Sequence, residues 1–192
     1  FDELGWDETP GESDDDRERR VTALGLMIYS EDQAVLAEAK RRFDSQPLEE
    51  LPTEIRSLII SANVRHFETP EMIDDLFQTY QHTPSNDLQT DITLGLTNTK
   101  NQKTAQTILA NIKRSDIIRP QDASRWFVYL IRTHESRQLA WDWLKDNWQW
   151  VETTFAGDKS YDEFIRYAAT ALLTSDELTD FRRFFEPMLG IP

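Results

Sequence analysis

An all-α fold is predicted: a superhelical stack of antiparallel helix pairs, HEAT- or armadillo-like, with about ten helices. Three observations predict it. Apolar residues recur three or four positions apart almost without pause. No segment alternates apolar and polar residues with the period of two that a half-buried strand needs. Only six glycines and eight prolines occur in 192 residues, so connections must be short, and short connections make successive helices antiparallel neighbours.

Residues 1–12 hold Gly5, Pro10 and Gly11 and show no helical period. They are expected to form an extended entry segment, which Phe1, Leu4 and Trp6 could pin to the body. Residues 13–192 are expected to be a single helical-repeat domain. Ser13 offers an N-cap, and Asp14, Asp15 and Asp16 fall in the first turn, where the helix dipole favours anions. The acidic run Glu12 to Asp16 therefore reads as a helix start rather than a metal site. Val21, Leu24 and Ile28 share the first apolar face, and Leu36, Ala39 and Phe43 the next. After Pro47 and Pro52 come Ile55, Leu58, Ile59 and Ala62. Thr69 caps a helix that has Pro70 at its first position and carries Ile73, Leu76, Phe77 and Tyr80. Ser85 starts a weaker one with Leu88, Ile92 and Leu96, and Ala105, Ile108, Leu109 and Ile112 make a stronger one.

The last third is bulkier. Pro120 opens a helix whose stripe is Ala123, Trp126, Phe127, Leu130 and Ile131. Trp141, Leu144, Trp148, Val151 and Phe155 step by threes and fours, which predicts one long helix, widened by Trp143 and Trp150 and stopped by Gly157. Tyr161, Phe164, Ile165, Ala168 and Leu172 follow, and Ser175 is expected to cap a last helix with Leu178, Phe181, Phe185 and Met188. Taken in pairs, the helices form units beginning near Asp14, Thr53, Ser85, Pro120 and Lys159, a repeat of roughly 32–39 residues. One hairpin cannot bury its own apolar face, so the units are expected to stack into a curved layer whose concave side makes contacts.

Composition narrows the function classes. A formal charge of −14 repels nucleic-acid phosphates and anionic lipid, so neither nucleic acid nor membrane is an expected partner. The acidity serves solubility or favours cationic peptides. With no cysteine, disulfides, thiolate metal sites and a cysteine nucleophile are excluded. No apolar run approaches the roughly 20 residues that span a bilayer. No signal peptide is visible, and a cytoplasmic location is expected. The chain begins at Phe1 without an initiator Met, so it is expected to be a fragment of something longer.

Catalytic constellations are missing from the residue pattern. His66 and His82 read as helix-end and loop residues. His134-Glu135 starts like the zinc-peptidase pattern H-E-x-x-H, in which two histidines one helical turn apart bind the metal and the Glu activates its water. Gln138 stands where the second histidine is required, so no metal site and no catalytic residue is assigned. Spaced glycines for phosphate binding are absent. The Trp stripe reads as core, with a ligand-stacking platform as the sharper alternative. The bases within Lys40-Arg41-Arg42 and Arg182-Arg183 read as solvated faces or partner-facing ion-pair donors. Arg119 differs, because it precedes Pro120 and must be extended at a helix entrance, with Gln121 and Asp122 in the following turn. That cluster either orients the helix or presents a guanidinium to a carboxylate.

Several stretches carry a family resemblance. Leu4-Gly5-Trp6-Asp7 with Pro10-Gly11-Glu12-Ser13-Asp14-Asp15-Asp16-Arg17, Ala37-Glu38-Ala39-Lys40-Arg41-Arg42-Phe43, Ile118-Arg119-Pro120-Gln121-Asp122, Leu139-Ala140-Trp141-Asp142-Trp143-Leu144 through Asn147-Trp148, and Ser175, Glu177, Leu178, Phe181 and Phe184-Phe185 occur in order. Together they resemble the C-terminal helical domain of the aminopeptidase N family of zinc metallopeptidases. One departure is local. Where that family often has an Asn-Pro-x-Gly turn, this chain reads Thr133-His134-Glu135-Ser136-Arg137.

The resemblance implies a division of labour. Zinc, the H-E-x-x-H ligands and the exopeptidase motif G-x-M-E-N belong to an upstream catalytic domain, and this chain would carry no cofactor. Its partners would be that domain and peptide substrates. It would cap the catalytic cleft and limit or guide peptide access, with Arg119, Gln121 and Asp122 as contact candidates. Two other readings remain: an independent helical-repeat scaffold that binds a protein partner, and a stand-alone hydrolase.

Overall fold

The computed structural model describes residues 5–189. Among them every regular element is helical: eleven α-helices and two short 3-10 turns, with no strand. The chain divides into two compact units, Phe1–Asn98 and Thr99–Pro192.

The first unit holds α1 (Asp14–Tyr29), α2 (Gln33–Ser45), α3 (Thr53–Phe67), α4 (Pro70–His82) and α5 (Asn86–Leu96), with a 3-10 turn at Leu48–Glu50 before α3. The caps read from the sequence are present. Ser13 Oγ accepts from Asp16 N at 3.2 Å, Thr69 Oγ1 from Met72 N at 3.2 Å and Ser85 Oγ from Leu88 N at 3.2 Å. Each removes one of the amide donors that a helix start leaves unpaired. His82 closes α4 instead of lying in the loop after it, with its Nδ1 2.7 Å from the Gln78 carbonyl oxygen.

α3 is the hub of this unit, packed against α1, α2 and α5. Ile55, Ile59, Ile60, Ala62 and Val64 are buried on it. Two polar residues are buried there too, and both donate to partners, while Asn63 Oδ1 is left unpaired among the described residues. Asn63 Nδ2 donates to the Ala39 carbonyl of α2 at 3.1 Å and to its own Ile59 carbonyl at 2.9 Å. Arg56 Nε donates to Asp91 of α5 at 2.7 Å. α5 reaches α3 because position 95 is glycine. A Cβ there would stand 2.9 Å from Ile60 Cβ and closer still to its Cγ2.

The entry segment is fastened to this unit by charge. Arg42 lies over the Trp6 ring at 5.2 Å and donates through both terminal nitrogens to the Asp7 carboxylate at 2.7 Å each. Its Nε donates to Glu38 at 2.8 Å. Glu8 accepts from Arg17 at 2.6 Å. Glu12 pairs with Arg20, and both side chains are buried. Of the residues expected to pin this segment, Trp6 packs on the first unit's core, while Phe1 and Leu4 lie outside the described residues.

The second unit holds α6 (Gln102–Asn111), α7 (Pro120–Arg132), α8 (Arg137–Asp146), α9 (Trp148–Phe155), α10 (Lys159–Ala171) and α11 (Ser175–Phe185). Here α7 is the hub, packed against α6, α8 and α10. Trp126, Phe127, Leu130 and Ile131 are fully buried on it. The Trp141-to-Phe155 stripe predicted one helix, and the structure has two. Asn147 breaks it at φ −114° and ψ 17°, and its Nδ2 donates back to the Trp143 carbonyl at 2.8 Å. The Trp143 carbonyl thus accepts from both the Asn147 backbone amide, at 3.0 Å, and its side-chain amide, a local bond that apolar spacing does not reveal. The last helix is capped by Thr174, one residue before the expected Ser175. Thr174 and Glu177 form a reciprocal capping box. At the expected departure near His134, residues Thr133 to Ser136 do form a turn, closed by Ser136 Oγ donating to the Leu130 carbonyl at 2.7 Å.

Two predictions follow from packing and charge. Gly95→Ala should destabilise the protein by about 1–3 kcal/mol, because the Ile60 Cβ cannot swing aside. Gly25→Ala, whose new methyl would meet only Leu58 Cδ2 at 3.8 Å, should stabilise it by about 0.5–1 kcal/mol. Denaturant melts that rank the two alike would refute the close-approach account.

The second prediction concerns acid. Hydrogen bonds from Arg41 first, then Arg42, pull the Glu38 carboxyl from 4.5 down to about 2. Arg42 also lowers the Asp7 carboxyl. A folded pKa below the unfolded one gives stability that is present above the unfolded value and is lost as pH falls towards the folded one. The first unit should therefore weaken between about pH 4.5 and 2. Glu38→Gln should flatten that slope in pH-dependent unfolding, and an unchanged slope would count against the cluster.

Candidate functional site

The entrance of α7 collects the residues singled out from the sequence. The chain arrives through a turn in which the amides of Ile117 and Ile118 donate to the Arg114 carbonyl at 2.9 and 2.8 Å. Ile118 is fully buried and anchors the approach. Arg119 is extended at φ −61° and ψ 141°, as a residue before proline must be. Pro120 takes the first helical position, where its missing amide costs nothing.

The structure brings Arg119 and Asp122 together. Arg119 Nε donates to Asp122 Oδ2 at 2.7 Å, and the Asp122 amide donates to the Arg119 carbonyl at 2.9 Å. The Asp122 side chain is only 10% exposed and that of Arg119 is 46% exposed. Asp122 therefore does not cap the helix amides. Its carboxylate holds the Nε edge of the guanidinium, and no side chain caps α7. Gln121 is exposed on the same first turn. Chemically, the arrangement fixes the direction of a half-exposed guanidinium, a planar donor suited to carboxylates.

The other candidates resolve into structure. Trp126 and Trp141 are fully buried and Trp148 nearly so, which makes the aromatic stripe core. Trp141 Nε1 donates to Asp180 of α11 at 2.7 Å, Lys145 Nζ donates to the same oxygen at 2.8 Å, and the Trp141 ring stacks on Phe181 at 5.8 Å. Lys145 and the Trp141 indole together hold the Asp180 carboxyl below its ordinary range. The Lys40–Arg42 run is spent within the first unit: Lys40 pairs with Asp44, Arg41 with Glu38, and Arg42 with Asp7 and Glu38.

Zinc does not fit the residues present. His134 is exposed in a turn, and Gln138 Nε2 donates to Asp142 at 3.0 Å. Among the described residues no three of His, Cys, Asp or Glu stand close enough to hold a metal ion. No metal-dependent step is assigned to this chain. Among the described residues, too, no helix is long and apolar enough to cross a membrane.

Sequence reasoning missed the two buried arginines. Arg20 is fully buried and shares the α1 stripe with Leu24 and Ile28, four and eight residues on. That spacing was the available signal. Arg56 lies one turn before Ile60 and meets Asp91, 35 residues away. No local pattern marks that pair.

A double-mutant cycle on Arg119 and Asp122 should give a coupling of about 0.5–1 kcal/mol, the range of a partly exposed pair. Additive effects of the two alanine substitutions would mean that the contact does not hold the guanidinium.

Comparison with known proteins bears on what this arrangement serves. A family model described as the ERAP1-like C-terminal domain matches residues 1–190. Aminopeptidase N of Lactobacillus helveticus is 32% identical over 191 residues, covering 98% of this chain and 23% of that protein. Aminopeptidase N of Lactococcus lactis subsp. cremoris (strain MG1363) is 32% identical over 189 residues, covering 97% and 22%. Aminopeptidase M1 of Arabidopsis thaliana is 28% identical over 191 residues, covering 95% and 21%. The chain thus spans less than a quarter of the length of these relatives.

Proposed function

The chain belongs to the ERAP1-like C-terminal domain family, and on that premise we propose that it is the non-catalytic helical part of a zinc aminopeptidase that removes N-terminal residues from peptides. In this reading it docks on an upstream catalytic domain, caps the catalytic cleft and limits or guides peptide access. Zinc and its ligands belong to the upstream domain, and the whole enzyme works in the cytoplasm.

One observation carries the reading. Nearly all of this chain aligns with less than a quarter of proteins named Aminopeptidase N. The remaining length of such a protein is where bond-breaking groups would reside. The geometry at α7 supports a contact role. Arg119 is anchored through one edge by Asp122 and stays half-exposed. A guanidinium whose direction is already set loses less freedom on meeting a carboxylate than a mobile one does. Arg119 would contact the peptide, with Gln121 beside it and Asp122 acting through Arg119.

The test uses the full-length enzyme. Arg119→Ala should slow turnover of a peptide of about ten residues by about tenfold, the loss expected for one charge-assisted contact. Hydrolysis of a single aminoacyl reporter, too short to reach beyond the catalytic domain, should be unchanged. An equal loss on both substrates would overturn the contact role and make Arg119 a folding residue.

A further inference from the structure

The first unit contains an apolar groove with an acidic rim, distant in sequence from α7. Its cavity measures about 450 Å³ and lies between the end of α2, the Leu48–Glu50 turn, the end of α3 and one face of α4. The floor is Phe43, Leu48, Phe67, Met72 and Leu76. Of these, Phe43, Leu48 and Phe67 are only partly buried against the core. A second cavity, of about 520 Å³, meets the first at Thr79 and continues past Glu49 to His82.

The charges around it are one-sided. Glu71 and Asp75 line the first cavity and Glu49 the second. Lys40 is the one cation on the first cavity's lining, and it is paired with Asp44. Among the described residues Glu49, Glu71 and Asp75 make no side-chain ion pair or hydrogen bond with another group. Glu71 and Asp75 stand four residues apart on one face of α4, a spacing at which like charges repel. A cation seated between them removes that repulsion. It is not a metal ion, because these groups do not cluster closely enough to coordinate one.

We propose that this groove binds a short extended peptide segment in which a Lys or Arg adjoins a large apolar residue. The apolar side chain fills the Phe43–Leu48–Phe67 floor, and the cation lies against Glu71 and Asp75. The α4 face from Glu71 to His82 is roughly 16 Å long at helical rise, which accommodates about five residues of extended chain. The groove thus gives the acidity of the first unit a specific use: it selects for positive charge beside bulk. The inference deepens the peptide-access reading and rests on it for the source of the peptide. Its test does not depend on peptidase activity.

Binding is measured by fluorescence anisotropy on the 192-residue chain, with labelled Gly-Arg-Phe-Lys-Leu-Gly as the probe and Gly-Glu-Phe-Glu-Leu-Gly as its counterpart. The cationic peptide should bind, and binding should weaken as salt is raised. The Glu71→Gln/Asp75→Asn double variant should bind it about tenfold more weakly, and Met72→Lys should abolish binding while leaving the helical melt unchanged. Asp74→Asn, on the same helix but outside the groove, should bind as the parent chain does. Equal affinity for both peptides, equal affinity of the double variant, or no saturation at about 1 mM peptide overturns the proposal. Failure here alongside an intact Arg119 split between peptide and reporter removes the groove alone. A peptide held by the groove but no Arg119 split removes the contact role at α7 alone.

Discussion

Each unit depends on one helix being surrounded, and a surrounded helix makes every polar group it buries costly unless that group finds a partner. α3 is enclosed by α1, α2 and α5, and α7 by α6, α8 and α10. Enclosure brings the full hydrophobic return of residues such as Ile59 and Trp126, about 1.5–3 kcal/mol for a fully buried aliphatic side chain. It also imposes the cost of any buried donor left unmet. The structure answers most of that cost locally and leaves the Asn63 Oδ1 acceptor unmet among the described residues. Asn63 reaches a carbonyl of α2, Arg56 a carboxylate of α5, and Asp122 a guanidinium at the start of its own helix. Gly95 answers the steric side of the same constraint by letting α5 lie against Ile60.

The same logic explains what the sequence made legible. Helix faces were readable because burial on one side imposes a repeat of three and four residues. N-caps at Ser13, Thr69 and Ser85 were readable because a short polar side chain before an apolar stripe has few other reasons to be there. The break at Asn147 was not, because the stripe from Trp141 to Phe155 keeps its spacing across it while the Asn147 amide bonds back to Trp143. Thr174 was passed over for Ser175 because both are adequate caps. The reciprocal bonds decide between them: Glu177 N donates to Thr174 Oγ1 at 3.2 Å and the Thr174 amide donates to the Glu177 carboxylate at 2.8 Å.

At the α7 entrance, the extended Arg119, the proline-started helix and the acidic residue in its first turn were all legible, because proline constrains its neighbours directly. What Asp122 accepts was not. A carboxylate in a first turn can serve the backbone amides or a nearby cation, and the choice depends on where a half-exposed arginine folds back. The buried pairs Arg20–Glu12 and Arg56–Asp91 lay further from view. The second joins residues 35 positions apart, and although periodicity puts Arg20 in line with Leu24 and Ile28, a charged side chain there signals burial only once its partner is known.

These pairs also change the meaning of the net charge. A value of −14 suggests an evenly repulsive surface, but the carboxylates have different occupations. Asp7, Glu12 and Glu38 fasten the entry segment, Asp91 and Asp122 satisfy arginines at the two hub helices, and Asp180 joins α8 to α11. Those charges are neutralised within the fold and exert little force at a distance. The surplus therefore sits on the acids without internal partners. Glu49, Glu71 and Asp75 are three of these, gathered where Phe43, Leu48 and Phe67 are incompletely covered. Positioned there, the excess charge acts over the few ångströms in which a ligand's cation and its apolar neighbour are recognised together, a more selective use than solubility requires.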